Sequence, residues 1–112
     1  MEIELELQFI PEPEQRALWN NILEGLCDGE AGALFQERMS AFGSDVEAKL
    51  EAMLEDWPVE YFEGQYWEEE GEHLRLGLLT ASDGDEFARD LAALFALCPV
   101  SDMEIHVRCD DE

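Results

Sequence analysis

Basic side chains are nearly missing from this chain: 6 Lys and Arg residues, of which Lys49 is the single lysine, stand against 29 Asp and Glu, a formal net charge of −23 at pH 7. A surface this negative repels nucleic acid and anionic lipid headgroups, so direct binding to nucleic acid or to a membrane surface is not expected. No G-x-x-x-x-G-K run occurs, which removes a phosphate-cradling loop. Cysteine is scarce as well. Cys27, Cys98 and Cys109 form an odd set without CxxC spacing, the pattern of reduced thiols rather than of a disulfide framework. No apolar run approaches the roughly 18 residues of a membrane span. The start MEIELELQFI also lacks the basic residues and continuous apolar stretch of a signal peptide, so the expected location is the cytoplasm.

What is present argues for a folded chain. The composition is 46% hydrophobic and 10% aromatic, whereas acidic disordered chains lack aromatics and branched aliphatics. The 112 residues suit a single domain over 1–112. A folded chain of this mass exposes roughly 6,000 Å², about one net charge per 270 Å². Duplex DNA carries one charge per roughly 110 Å² of its cylinder. A protein imitating a phosphate backbone would therefore have to crowd its carboxylates onto one face.

Residues 2–10 alternate, with Ile3, Leu5, Leu7 and Phe9 on one face and Glu2, Glu4, Glu6 and Gln8 on the other, which predicts a half-buried strand. Pro11 and Pro13 end it. Pro13-Glu14-Gln15 then makes a good first helical turn, and Leu18, Ile22, Leu23 and Leu26 recur at helical spacing until Asp28-Gly29. Leu34, Phe35, Met39 and Phe42 predict a short helix within 30–43. Ser44-Asp45-Val46-Glu47 has the form of a capping box ahead of a helix over 45–57, closed by Pro58. Residues 59–68 and 73–80 predict a hairpin turning near Glu70-Gly71. Asp83-Gly84-Asp85-Glu86 opens a helix that ends at Pro99, and Met103, Ile105, Val107 and Cys109 mark a last strand.

This order predicts an α+β fold: a four-stranded antiparallel or mixed sheet, ferredoxin-like split β-α-β, with one or two extra helices after the first helix. The first strand then sits between the third and fourth. On the open face Glu2, Glu4 and Glu6 lie between His73 and Arg75 on one side and His106 and Arg108 on the other. Cross-strand pairing of opposite charge would make that face nearly balanced and send the acidic excess to the helices, the hairpin and the C-terminus.

Glu47, Glu51 and Glu55, at i, i+4 and i+8, form a ridge of like charges that destabilises its helix by a few tenths of a kcal/mol per pair. A solvated helix face accounts for it about as well as a docking surface. Glu68-Glu69-Glu70-Gly71-Glu72 and Asp110-Asp111-Glu112 are the densest acidic runs; a hydrated turn and a frayed tail are their simpler explanation. In Val59-Glu60-Tyr61-Phe62-Glu63-Gly64-Gln65-Tyr66-Trp67, alternation puts Tyr61 and Trp67 on one face and Phe62 and Tyr66 on the other. Unless a bulge at Gly64 turns them into the core, aromatics ringed by carboxylates remain outside, as in a protein-binding patch.

Metal and catalytic patterns are weak. His73, His106, Cys27, Cys98 and Cys109 have no zinc-ligand spacing, so core thiols are the better reading. Asp83-Gly84-Asp85 lacks the further ligands of a calcium loop. No G-x-S-x-G elbow or Cys/His motif points to a nucleophile. No cofactor, metal or catalytic residue is assigned, and no set of motifs matches a known family.

The leading expectation is a small acidic protein that binds a basic partner protein, itself a nucleic-acid-binding protein or nuclease in one version. It would act as an inhibitor, immunity protein or nucleic-acid mimic, by electrostatic steering and desolvation of a few aromatics. Glu47, Glu51, Glu55, Glu63, Glu68, Glu69 and Glu70 would supply charge; Tyr61, Phe62, Tyr66 and Trp67 would supply anchors. The alternatives are a ligand-binding or catalytic pocket on the open sheet near His73, Arg75, His106 and Arg108, and a homodimer formed through the aromatic strand.

Overall fold

The computed structural model describes residues 2–109, the side chain of Cys109 excepted. Four strands form one open antiparallel sheet in the order β2-β3-β1-β4. β1 (Ile3–Pro11) is a central strand, between β3 (His73–Thr80) and β4 (Val100–Cys109). Its alternation is realised directly: Ile3, Leu5, Leu7 and Phe9 are buried, and the register sets Leu78, Leu76 and Leu74 of β3 beside the last three. The even-numbered residues of β1 face away from the core.

Four α-helices cover the inner face. A 3-10 turn at Pro13–Gln15 leads into α1 (Arg16–Cys27), which buries Trp19, Ile22, Leu23 and Leu26. Gly29, with φ 86°, ends it in the left-handed conformation that glycine tolerates. The segment 30–43 folds as α2 (Ala33–Met39) with a 3-10 turn at Ser40–Phe42, burying Phe35 and Met39. α3 (Ser44–Asp56) contributes Val46, Leu50 and Met53. α4 (Gly84–Ala96) contributes Phe87, Ala88, Leu91, Leu94 and Phe95. Trp19 sits at the middle of the core, edge-on to Phe9 at 4.9 Å and stacked with Phe42 at 4.8 Å and Phe95 at 5.3 Å.

Two local expectations are corrected. The capping box at Ser44 does not form: no side chain caps α3, and the carbonyl of Gly43, at φ 123°, accepts the Glu47 N–H. Residues 59–62 are not strand. Val59–Phe62 is a 3-10 turn, and β2 (Gly64–Glu70) begins only after it. The turn tucks Phe62 against Phe87 at 5.1 Å and Phe35 at 5.9 Å, and burying an aromatic ring outweighs the two hydrogen-bonded residues an extended strand would have gained. Gly64 is required where β2 starts, because a Cβ there would lie 2.7 Å from the Cys27 sulfur. The register with β3 shifts between Gly64 and Tyr66, so Gln65 is the extra residue of a bulge.

Candidate binding site on the open sheet face

The bulge decides where the aromatics point. With the register shifted, Trp67 pairs with Leu76 on the inner side, while Tyr66 pairs with Gly77 on the outer side. Phe62 is 2% exposed, Tyr61 and Trp67 pack half-buried against the core, and Tyr66 stays 43% exposed. Of the four expected anchors, Tyr66 alone is therefore presented outward. Tyr61 has a structural role: its ring packs with those of Trp57 and Phe87 in a cluster of three, and its hydroxyl donates to Asp83 at 2.6 Å.

Tyr66 lies over Gly77, where any Cβ would collide with its ring. From β2 it reaches across β3 and donates its hydroxyl to a Glu6 carboxylate oxygen at 2.5 Å. That bond, followed by burial and the charges of Glu6 and Glu68, pushes the phenol pKa up to about 12. One face of the ring rests on glycine backbone. Tyr66 also lines a hollow of about 250 Å³ whose walls include Glu2, Glu4, Glu6, Leu79 and Arg108. Arg108 stands 3.6 Å from Glu4, and His106, also on the rim, is 3.3 Å from Glu104.

The other two expected basic residues are occupied elsewhere. Arg75 donates to Glu68 at 2.7 Å, to Glu70 and to Gln8 at 3.3 Å, and His73 meets Asp102 at 2.8 Å. The outer face is also not balanced. Glu2, Glu4, Glu6, Glu68, Glu70 and Glu104 face outward against Arg75 and Arg108 alone, so neutrality would need more positive charge than two imidazoles can add.

The hairpin acids are largely engaged within the molecule. Arg16, at the start of α1, pairs with Glu69 at 3.1 Å and donates to the carbonyls of Gly71 and Glu72, which ties the hairpin tip to the helix. Glu68 and Glu70 hold Arg75, and Glu63 is half-buried beside the bulge. The α3 ridge differs. Glu47, Glu51 and Glu55 are exposed and, among the described residues, none has a cation within ion-pair distance. The ridge belongs to the helical layer, on the far side of the sheet from the hollow. Carboxylates thus occupy both layers, about one net charge per 260 Å² of the 5975 Å² accessible surface. The run 110–112 lies outside the described residues.

The sequence reading missed Glu2, Glu4 and Glu6 as walls and Gly77 as the seat of Tyr66. Gly77 carried a usable signal, since a glycine inside an otherwise regular strand marks close approach by another group.

Among the described residues no group of three or more His, Cys, Asp or Glu is arranged to hold a metal ion. Cys98 is buried and its thiol is pushed up to about 12 by desolvation; Cys27 is raised by burial and then by Asp28. Neither is poised as a nucleophile. Among the described residues no helix is long and apolar enough to cross a membrane. No protein-family model matches the chain, and no characterised protein or solved structure shows significant similarity to it.

Proposed function

We propose that the protein binds a basic partner protein on the open face of its sheet, with one lysine or arginine side chain of the partner entering the hollow that Tyr66 lines. The observation that carries this reading is the exposed Tyr66 ring, seated on Gly77 and bracketed by Glu2, Glu4 and Glu6. A cation over a tyrosine face is attracted by the ring quadrupole, and nearby carboxylates add charge-assisted hydrogen bonds. Size supports a side chain rather than a cofactor, because the hollow's 250 Å³ falls below the roughly 300–1,000 Å³ of small-molecule sites. The net charge of −23 would steer the encounter over a longer range than any one contact.

In this reading Glu47, Glu51 and Glu55 contribute to the long-range field, while the outer face makes the contact. An inhibitor or immunity protein fits better than a nucleic-acid mimic, which needs a denser, one-sided array of charge. The strand order and antiparallel pairing support a ferredoxin-like split β-α-β arrangement, with α2 and α3 inserted after α1. The pocket alternative is weakened by the engagement of His73 and Arg75 away from the hollow.

The test is calorimetric titration with a hexa-arginine peptide at low salt. Replacing Tyr66 by Ala is expected to weaken binding by roughly 2- to 5-fold, the equivalent of about 0.5–1 kcal/mol of cation–π attraction at an exposed site. Neutralising Glu47, Glu51 and Glu55 together should lower affinity at low salt only. Equal affinity of wild type and Tyr66→Ala would contradict the proposal.

A further inference from the structure

The edge of the sheet formed by β4 carries a pattern of its own. β4 is an edge strand, and beyond a bulge at Asp102, where φ is 53°, its residues 104–109 keep one constant register with β1. Glu104, Ile105, His106, Val107 and Arg108 therefore form a straight segment with an unpaired outer edge among the described residues. Val107 pairs with Leu5 on the inner side of the sheet and is nevertheless 44% exposed, while Ile105 beside it is half-buried.

We propose that β4 pairs antiparallel with β4 of a second copy of this chain, about a two-fold axis at His106. In that register Glu104 of each copy faces Arg108 of the other on the outer side, and Ile105 faces Val107 on the inner side, both pairs occurring twice. The segment is thus self-complementary in charge and in apolar character, as an isologous interface requires. The period of two leaves few competitors, because a one-residue slip would put inner side chains outside. A shift that centres the axis on Val107 sets His106 against Arg108, and one that centres it on Ile105 draws in Asp102, which the bulge removes from the ladder. Edge strands are commonly protected by charges that repel a second copy; here the charges match one. The proposal does not depend on the hollow, and its salt response has the opposite sign. Association of two chains of charge −23 strengthens as salt screens their repulsion, whereas binding of a basic partner weakens.

Sedimentation equilibrium of the full chain between 10 and 500 μM, in 0.02 and 0.5 M NaCl (about 21 Å and 4 Å of screening length respectively), provides the test. The expected mass rises from 12.8 kDa toward about twice that value with concentration, and does so more readily at the higher salt. Glu104→Arg and Arg108→Glu should each weaken dimerisation by about 10-fold or more, and the double exchange should restore it, since coupled charges recover in a swap. Amide exchange in the wild type should slow with concentration at 104–108. A 12.8 kDa mass at every concentration and both salts, a double exchange that fails to recover, or protection that grows along β2 instead would each overturn the proposal.

Discussion

Tyr66 does two jobs with one side chain: its ring replaces the missing side chain of Gly77 on the outer face, and its hydroxyl ties β2 to β1 through Glu6. Its titration offers a direct check on that geometry. In the folded chain the phenol keeps its proton up to about pH 12, whereas an unfolded tyrosine ionises near 10. The stabilisation from this bond is complete below pH 10 and declines as pH rises from 10 to 12, because only the unfolded chain releases the proton in that window. Absorbance at a tyrosinate wavelength should show the latest-ionising transition near pH 12, and Tyr66→Phe should remove it, leaving Tyr61, itself raised by its bond to Asp83. A transition complete by pH 10.5 in the native protein would mean that the Tyr66–Glu6 bond is not formed. Residue identity alone could not reveal this pair, since Tyr66 and Glu6 meet only after β3 has been placed between them.

At the scale of elements, α3 and α4 are joined by a small polar cluster. Asp90 of α4 accepts the Trp57 indole N–H at 2.9 Å and lies 3.5 Å from the Lys49 ammonium. Removing the carboxylate leaves a half-buried indole donor without its partner, so Asp90→Ala is expected to lower the unfolding free energy by about 1–3 kcal/mol. Glu55→Ala, on the unpaired ridge, should change it by less than about 0.5 kcal/mol. Urea denaturation of the two variants checks the contrast, and equal losses would assign no weight to the cluster. Periodicity made β1, β3, α1, α3 and α4 legible because each buries a regular stripe or alternate face. The hairpin region was harder to read. The alternation across 59–67 is compatible with a strand until the bulge at Gly64 and the pull of Phe62 toward Phe87 are known, and both depend on elements far away in sequence. The acidic run 68–70 read correctly as the approach to a turn, but its partners could not be read: Arg16 lies 53 residues from Glu69. The capping-box motif was present and unused, because Gly43 supplies the first backbone acceptor of α3 in a conformation that bypasses the Ser44 hydroxyl.

At the scale of the molecule, five of the six basic side chains already stand within 4 Å of a carboxylate: Arg16, Arg38, Lys49, Arg75 and Arg108. The remaining negative charge is distributed over the helical layer and the outer sheet face, not gathered on one flank as a phosphate-backbone imitation would need. Self-repulsion among these groups opposes the compact state, and screening relieves it. Raising NaCl from 0.02 to 0.5 M, at constant pH, should therefore raise the midpoint of thermal unfolding; each 1 kcal/mol of relief corresponds to roughly 4–8 °C in a chain near this size. A midpoint that stays level or falls would show that the internal ion pairs, weakened by the same salt, dominate. What gives the outer face its selectivity is local: one exposed ring, the three carboxylates of Glu2, Glu4 and Glu6 at alternate positions leading into and along β1, and a hollow sized for one side chain. The most direct measurement is a nitrogen–proton chemical-shift map of the labelled protein titrated with hexa-arginine peptide. The largest changes are expected at residues 2–6, 66, 77–79 and 106–108, with α3 little affected. Changes concentrated on Glu47, Glu51 and Glu55, or spread evenly over every acidic residue, would contradict it.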